Sequence, residues 1–109
     1  SHSHSHSRLS ELLRQDLYNE IFISKDILEN LIQKECNWFS WPYGTLNDIN
    51  DEVTKAIQKA RYKLTFGGFR GSVSGSTDPN MVPRHHFEPQ WKPNHVKYFL
   101  RGNREKALS

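Results

Sequence analysis

Three histidines open the chain at alternate positions, His2-Ser3-His4-Ser5-His6, and no other stretch brings three imidazoles together. Imidazole is the commonest metal ligand near neutral pH. On an extended strand His2, His4 and His6 would share one face, whereas on a helical turn only His2 and His6 would. Either conformation lets two imidazoles reach one ion. The bland alternative is an appended affinity tag or a loose terminus. Against it, serines interrupt the histidines, and the stretch runs straight into Arg8-Leu9-Ser10-Glu11-Leu12, which reads as native sequence.

The elements that must hold this stretch follow from periodicity. Leu17, Ile21, Ile27, Leu28, Leu31 and Ile32 recur at helical spacing, predicting one long amphipathic helix from Leu9 to Glu35 with a possible short turn at its start. Ser10 and Glu11 suit its beginning, and Lys34 suits the dipole at its end. The period then changes. Asn37-Trp38-Phe39-Ser40-Trp41 reads as a short buried strand, with Trp38 and Trp41 as core, closed by a turn at Pro42-Tyr43-Gly44.

Asn47 and Asp48 offer caps for a second helix to Arg61, with Ile49, Val53, Ile57 and Ala60 on one face. Tyr62 to Phe66 is the next strand, stopped by Gly67-Gly68. Strand, helix, strand in this order predicts a βαβ unit and so a parallel sheet. A long polar loop runs from Gly67 to Pro83. Beyond it Val82 to Phe87 reads as a short edge strand, because Pro83 forbids a central ladder position. A last helix is expected from Asn94 to Gly102, with residues 103–109 as a frayed tail.

With 109 residues the chain fits one domain with a modest core. It is 12% aromatic, 25% charged and 35% apolar, too aromatic for a disordered polymer and poor in aliphatics for a self-sufficient fold. That composition fits a piece of a larger domain. The net charge of +3 comes from Lys and Arg that never form a run of five, and the aromatics lie in apolar strand patterns, so a nucleic-acid partner is disfavoured. The single cysteine, Cys36, excludes an internal disulfide and reads as a small core residue. No apolar run is long enough for a membrane span, and no secretory signal is visible. An extracellular or cell-envelope location would need an upstream signal; without one the chain would be cytoplasmic.

Taken in order, the histidine pair, the aromatic strand ending in Phe39-Ser40-Trp41-Pro42-Tyr43-Gly44, the strand Tyr62 to Gly67 and the segment Val82-Pro83-Arg84 resemble the carboxy-terminal part of a polysaccharide deacetylase of the NodB-homology type. The resemblance reaches to about Leu100. It implies a partial (β/α) barrel with parallel strands and two to three flanking helices, residues 1–109 forming a single partial domain. It also implies a metal-dependent hydrolase that removes N-acetyl groups from a polysaccharide such as chitin, peptidoglycan or an exopolysaccharide.

By the same resemblance His2 and His6 supply two ligands to a divalent metal, zinc first. The backbone N–H of Tyr43 would stabilise the oxyanion, and Arg84 would pair with the catalytic carboxylate. Trp91, in its polar surroundings, would line the sugar groove. Two imidazoles and a carboxylate leave a metal position open for water, which is what amide hydrolysis needs. The family's Asp-bearing motif, which provides the base and third ligand, has no counterpart before His2, and Asp48 or Asp78 are the acids to consider in its place. The chain by itself is therefore expected to be incomplete and inactive, with the amino-terminal part of its own domain as a partner. The alternative is a catalytically dead carbohydrate- or metal-binding remnant. His85 and His86, adjacent and on opposite faces if extended, and His95 carry no assigned role.

Overall fold

The computed structural model describes residues 1–101. Helical structure begins as a 3-10 turn at Leu9–Glu11 and continues through α1 (Arg14–Tyr18), a π turn (Asn19–Ile23) and α2 (Ser24–Ile32). The dihedrals stay right-handed helical across both junctions, so Arg14 to Ile32 is one run with a single widened turn. It stops earlier than the predicted Glu35. Gln33 turns left-handed (φ 55°) and donates its amide to the Glu29 carbonyl at 3.0 Å, which leaves Lys34 beyond the helix.

Leu17 and Ile21 are buried as the periodicity requires, but Leu31, at the far end of the same stripe, is 75% exposed. The physical reason is that α3 (Asp51–Lys59) packs against α1, near the start of the run. Strand β1 (Trp38–Ser40) precedes α3 and β2 (Leu64–Phe66) follows it, and the two pair in parallel with Phe39 opposite Thr65. The expected βαβ unit is therefore present, in the partial (β/α) arrangement of parallel strands and flanking helices.

Two further segments extend the sheet. Ser1 donates its nitrogen to the Trp38 carbonyl at 2.8 Å and accepts from the Ser40 amide at 2.9 Å, the pattern of a parallel neighbour on the free edge of β1. On the other side Val82 bridges Phe66 in parallel, and the expected edge strand contracts to that one bridge because Pro83 follows.

The start of α3 differs from expectation. Asn50 is its cap, accepting from the Val53 amide at 3.0 Å. Asp48 instead closes a capping box with Thr45 around a 3-10 turn at Leu46–Asp48, and Asn47 lies within that turn. At its other end Lys25 Nζ donates to the Ala60 carbonyl at 2.7 Å.

Leu9, Leu17, Ile21, Phe39, Trp41, Val53, Ile57 and Tyr62 form the core between helices and sheet. Burial pushes the Tyr62 phenol up, and its hydroxyl donates to the Ile21 carbonyl at 3.3 Å. Trp38 departs from the reading as core: at 63% exposed it lies on the outer face of β1, while Phe39 points inward. Cys36 is half-buried at the edge of the core. The last helix, α4 (Pro93–Leu100), buries Phe99; the predicted stop at Gly102 and tail at 103–109 lie outside the described residues. Among the described residues no helix is long and apolar enough to cross a membrane.

Candidate functional site

Ser1 leads into His2, Ser40 into Pro42 and Tyr43, Phe66 into Gly67 and Gly68, and Val82 into Arg84, so these parallel segments all deliver their following residues to one end of the sheet. Carboxyl ends of parallel strands are where α/β folds collect functional loops. This topology brings together residues that are far apart in sequence.

The histidine stretch is neither extended nor helical. Ser3 and His6 both adopt left-handed backbone (φ 66° and 62°), and the loop they shape brings the His2 and His6 rings edge-on with centroids 4.7 Å apart. His2 Nδ1 lies 2.7 Å from the Ser40 carbonyl, which can only accept, so Nδ1 carries the proton and Nε2 keeps its lone pair. Metal-binding histidines are held by this type of bond. The Glu20 carboxylate anchors the same loop, Oε2 accepting from the amides of His4 (2.8 Å) and Ser5 (2.7 Å) and Oε1 from the Ser5 hydroxyl. Burial pushes the Glu20 carboxyl up, but these donors outweigh it and hold the group below its ordinary value.

Tyr43 lies beside the histidines, its ring 4.9 Å from that of His6 and edge-on to it. Its backbone is also left-handed (φ 69°), and its amide donates to no acceptor among the described residues. The next residue, Gly44 (φ 75°), is pressed against Gly68, whose amide donates to the Gly44 carbonyl at 2.7 Å. Non-glycine residues in left-handed backbone cluster where function over-determines the fold, and three of them, Ser3, His6 and Tyr43, meet here.

A hollow of about 300 Å³ opens next to this turn, lined by Tyr43, Gly68, Arg84, His85, His86 and Phe87. Arg84 is fixed by its amide to the Phe69 carbonyl (2.9 Å) and by Nε to the Gly67 carbonyl (3.2 Å), which leaves the rest of its guanidinium free of carboxylate partners among the described residues. Both His85 and His86 border the hollow, because this segment is not a regular strand. His86 Nε2 pairs with Glu88 at 2.7 Å. Trp91 does not line the hollow: it stacks on His95 (4.6 Å) and packs against Phe99, under Arg70, which donates to the carbonyl of His86.

The two imidazoles fit two places of a metal ligand set, on the ring separation and the tautomer just described. Among the described residues no third His, Cys, Asp or Glu joins them. Asp48 is engaged with Thr45 and Arg8, and Asp78 accepts from the Asn80 amide at 2.9 Å in the polar loop.

Arg8 and Glu20 are positioning residues that sequence reasoning did not find, and Asp48, expected as a helix cap or a third ligand, holds Arg8 instead. The Arg8 guanidinium sits 4.0 Å over the Tyr43 ring and reaches Asp48 Oδ1 at 2.5 Å, linking the histidine loop to the proline turn. Burial pushes the Asp48 carboxyl up, but the Thr45 hydroxyl and amide and the Arg8 guanidinium together hold it below the ordinary aspartate range. A depressed carboxyl adds stability above its unfolded pKa of ~3.9 and loses it as pH falls through the folded value. Asp48→Asn is accordingly expected to lower unfolding free energy by about 2 kcal/mol at pH 7. Urea melts should show the difference between variant and parent shrinking progressively below pH ~4.

A model of the polysaccharide deacetylase family matches residues 1–65. None of the curated proteins matches. Three solved structures share the fold. The Streptococcus pyogenes deacetylase PplD, in complex with acetate, is 21% identical with a TM-score of 0.77, over 89% of this chain and 42% of that one. IcaB from Ammonifex degensii is 17% identical with a TM-score of 0.59, over 70% of this chain and 31% of that one. The deacetylase domain of BpsB from Bordetella bronchiseptica is 12% identical, also at 0.59, over 66% and 26%. The chain thus spans less than half the length of the solved structures it matches.

Proposed function

Since the chain belongs to the polysaccharide deacetylase family, we propose that it carries the histidine, oxyanion and arginine side of a metal-dependent site that hydrolyses N-acetyl groups on a polysaccharide. The observation that supports this most is the meeting of His2, His6 and the Tyr43 turn at one end of the sheet, next to the hollow that Arg84 lines. A carboxylate from outside these 109 residues would complete the ligand set and provide the base.

His2 and His6 would hold the ion through ring nitrogens, His2 through Nε2 because Nδ1 is spoken for by Ser40. A divalent ion such as zinc supplies Lewis-acid polarisation and brings the pKa of a water towards ~7. The Tyr43 amide, without an acceptor among the described residues, would donate to the oxygen that gains charge as water adds to the acetyl carbon; such a donor is typically worth about 3 kcal/mol. Arg84, whose guanidinium has no carboxylate partner among the described residues, would orient the external carboxylate while that group takes the proton of the attacking water. As the C–N bond breaks, the sugar amine would leave with the proton that the carboxylate took from water, and acetate would depart by the hollow. That the Streptococcus pyogenes relative holds acetate is consistent with this reaction class.

The polymer would be an N-acetylated glycan. Trp91, which does not line the hollow, would serve it only as an outlying contact. The test is acetate release by the full-length protein from an N-acetylglucosamine oligomer: release at a rate above that of a heat-inactivated sample supports the reading, and no release from chitin, peptidoglycan or exopolysaccharide fragments defeats it.

A further inference from the structure

The geometry points to Glu20 as the positioning residue of the histidine loop: one carboxylate, aimed by a π turn, fixes the left-handed backbone that sets His2 against His6. This inference rests on the proposed metal site for its consequence, but its physical content is independent of any ion.

Four observations carry it. The Glu20 carboxylate takes three donors from two consecutive residues, the amides of His4 and Ser5 and the Ser5 hydroxyl. Successive backbone N–H groups pointing one way form an anion receptor, and among side chains an ionised carboxylate has the acceptors to satisfy all three donors. Next, the loop adopts a conformation that isolated residues disfavour, with Ser3 and His6 at φ 66° and 62°, so something outside the loop must hold it. Its internal bonds, His6 amide to Ser3 Oγ (3.1 Å) and Ser5 Oγ to Ser7 Oγ (2.8 Å), are exposed and too weak to do so alone.

The third observation is where Glu20 stands. It lies in the π turn Asn19–Ile23, the one departure from α geometry in the run from Arg14 to Ile32. A π turn inserts a residue and rotates the side chains that follow it, and such bulges recur at functional sites. Here Ile21 stays buried, with its carbonyl accepting from the Tyr62 hydroxyl, while Glu20 faces the loop. Finally, the clamp grips His4 and Ser5 and leaves the His2 and His6 rings untouched, which spares both imidazoles for a ligand.

The experiment uses the full-length protein with Glu20→Ala, Glu20→Gln and Ser5→Ala, each checked by circular dichroism. Amide hydrogen exchange without metal reads the clamp itself. The His4 and Ser5 amides are expected to exchange at least ~10-fold faster in Glu20→Ala, by a smaller factor in Glu20→Gln, which keeps one oxygen, and least in Ser5→Ala. Zinc titration reads the consequence: dissociation constants are expected to rise about 10- to 100-fold in Glu20→Ala, the usual effect of removing a group that orients metal ligands. Unchanged exchange at His4 and Ser5 in Glu20→Ala would overturn the clamp, and faster exchange with unaltered zinc affinity would overturn its positioning role. If Glu20→Ala does not fold, the exchange of Ser5→Ala and Glu20→Gln decides. Were the parent protein to bind no zinc, the proposed function would fail while the exchange data still judged the clamp.

Discussion

Under the proposed function, replacing His6 by alanine is expected to cut acetate release by the full-length protein about 10³-fold, and chelating divalent ions is expected to do the same to the parent. Of the two candidate ligands, His6 is the more informative to remove. His2 has a second job, its Nδ1–H bound to the Ser40 carbonyl, so its loss also disturbs the edge of β1. Among the described residues the His6 ring makes ring contacts with His2 and Tyr43, and it is exposed, so the fold should tolerate its truncation. Losing about 4 kcal/mol of metal-derived charge stabilisation corresponds to about 10³-fold in rate. The check is kcat/KM of His6→Ala on an N-acetylglucosamine oligomer with zinc added back, alongside its urea midpoint. A rate within tenfold of the parent would remove His6 from the reaction.

The second large effect is expected at Gly44, and it acts through backbone. With φ at 75° a side chain is strained there whatever the surrounding space, and a Cβ would lie 2.5 Å from the Gly68 nitrogen and 2.8 Å from its Cα. Those atoms cannot swing aside as a flexible side chain would. Gly68 is further confined because its neighbour Gly67 is covered by the Trp41 and Phe69 rings. Strain and overpacking together cost about 3 kcal/mol or more. Relief requires the Pro42-Tyr43-Gly44 turn to move, and with it the Tyr43 amide. Gly44→Ala should therefore lower both the unfolding midpoint and kcat, whereas Gly75→Ala, whose Cβ would meet open space, should change neither. Equal effects of the two substitutions would mean that the turn is not the constraint.

The residues that meet at the candidate site were legible because local patterns mark them. Pro42 ends an aromatic strand, glycine follows Tyr43, and the alternation of strand and helix periods forces a parallel βαβ unit whose carboxyl ends must lie side by side. What joins those ends was not legible. Glu20, Arg8 and Asp48 act across the fold on residues whose proximity exists only after folding; Glu20 and Arg8 read in sequence as ordinary solvated charges, and Asp48 reads as a helix cap or a spare metal ligand. The histidine loop differs from expectation for a related reason: periodicity suggests extended or helical backbone, whereas the loop donates to Glu20 and turns left-handed at Ser3 and His6.

Boundaries failed where capping decided them. Asp48 looks like the cap of α3, yet Thr45 and Arg8 claim it for the turn before, and Asn50 takes the role. The apolar stripe on α1 and α2 was real in sequence but only half of it meets a partner: Ile27, Leu31 and Ile32 remain exposed. Periodicity marks the face that can be buried and carries no information about which layer covers it.

The central claim is that His2, His6 and the Tyr43 amide address one ion and one carbonyl oxygen. It is tested most directly by diffracting crystals of the full-length protein grown with zinc and acetate, with data collected on both sides of the zinc absorption edge. The account predicts an anomalous peak about 2.0–2.1 Å from His2 Nε2 and from a ring nitrogen of His6, with an acetate oxygen in hydrogen-bond reach of the Tyr43 amide. A zinc peak bound elsewhere, or none at these two rings, would contradict it.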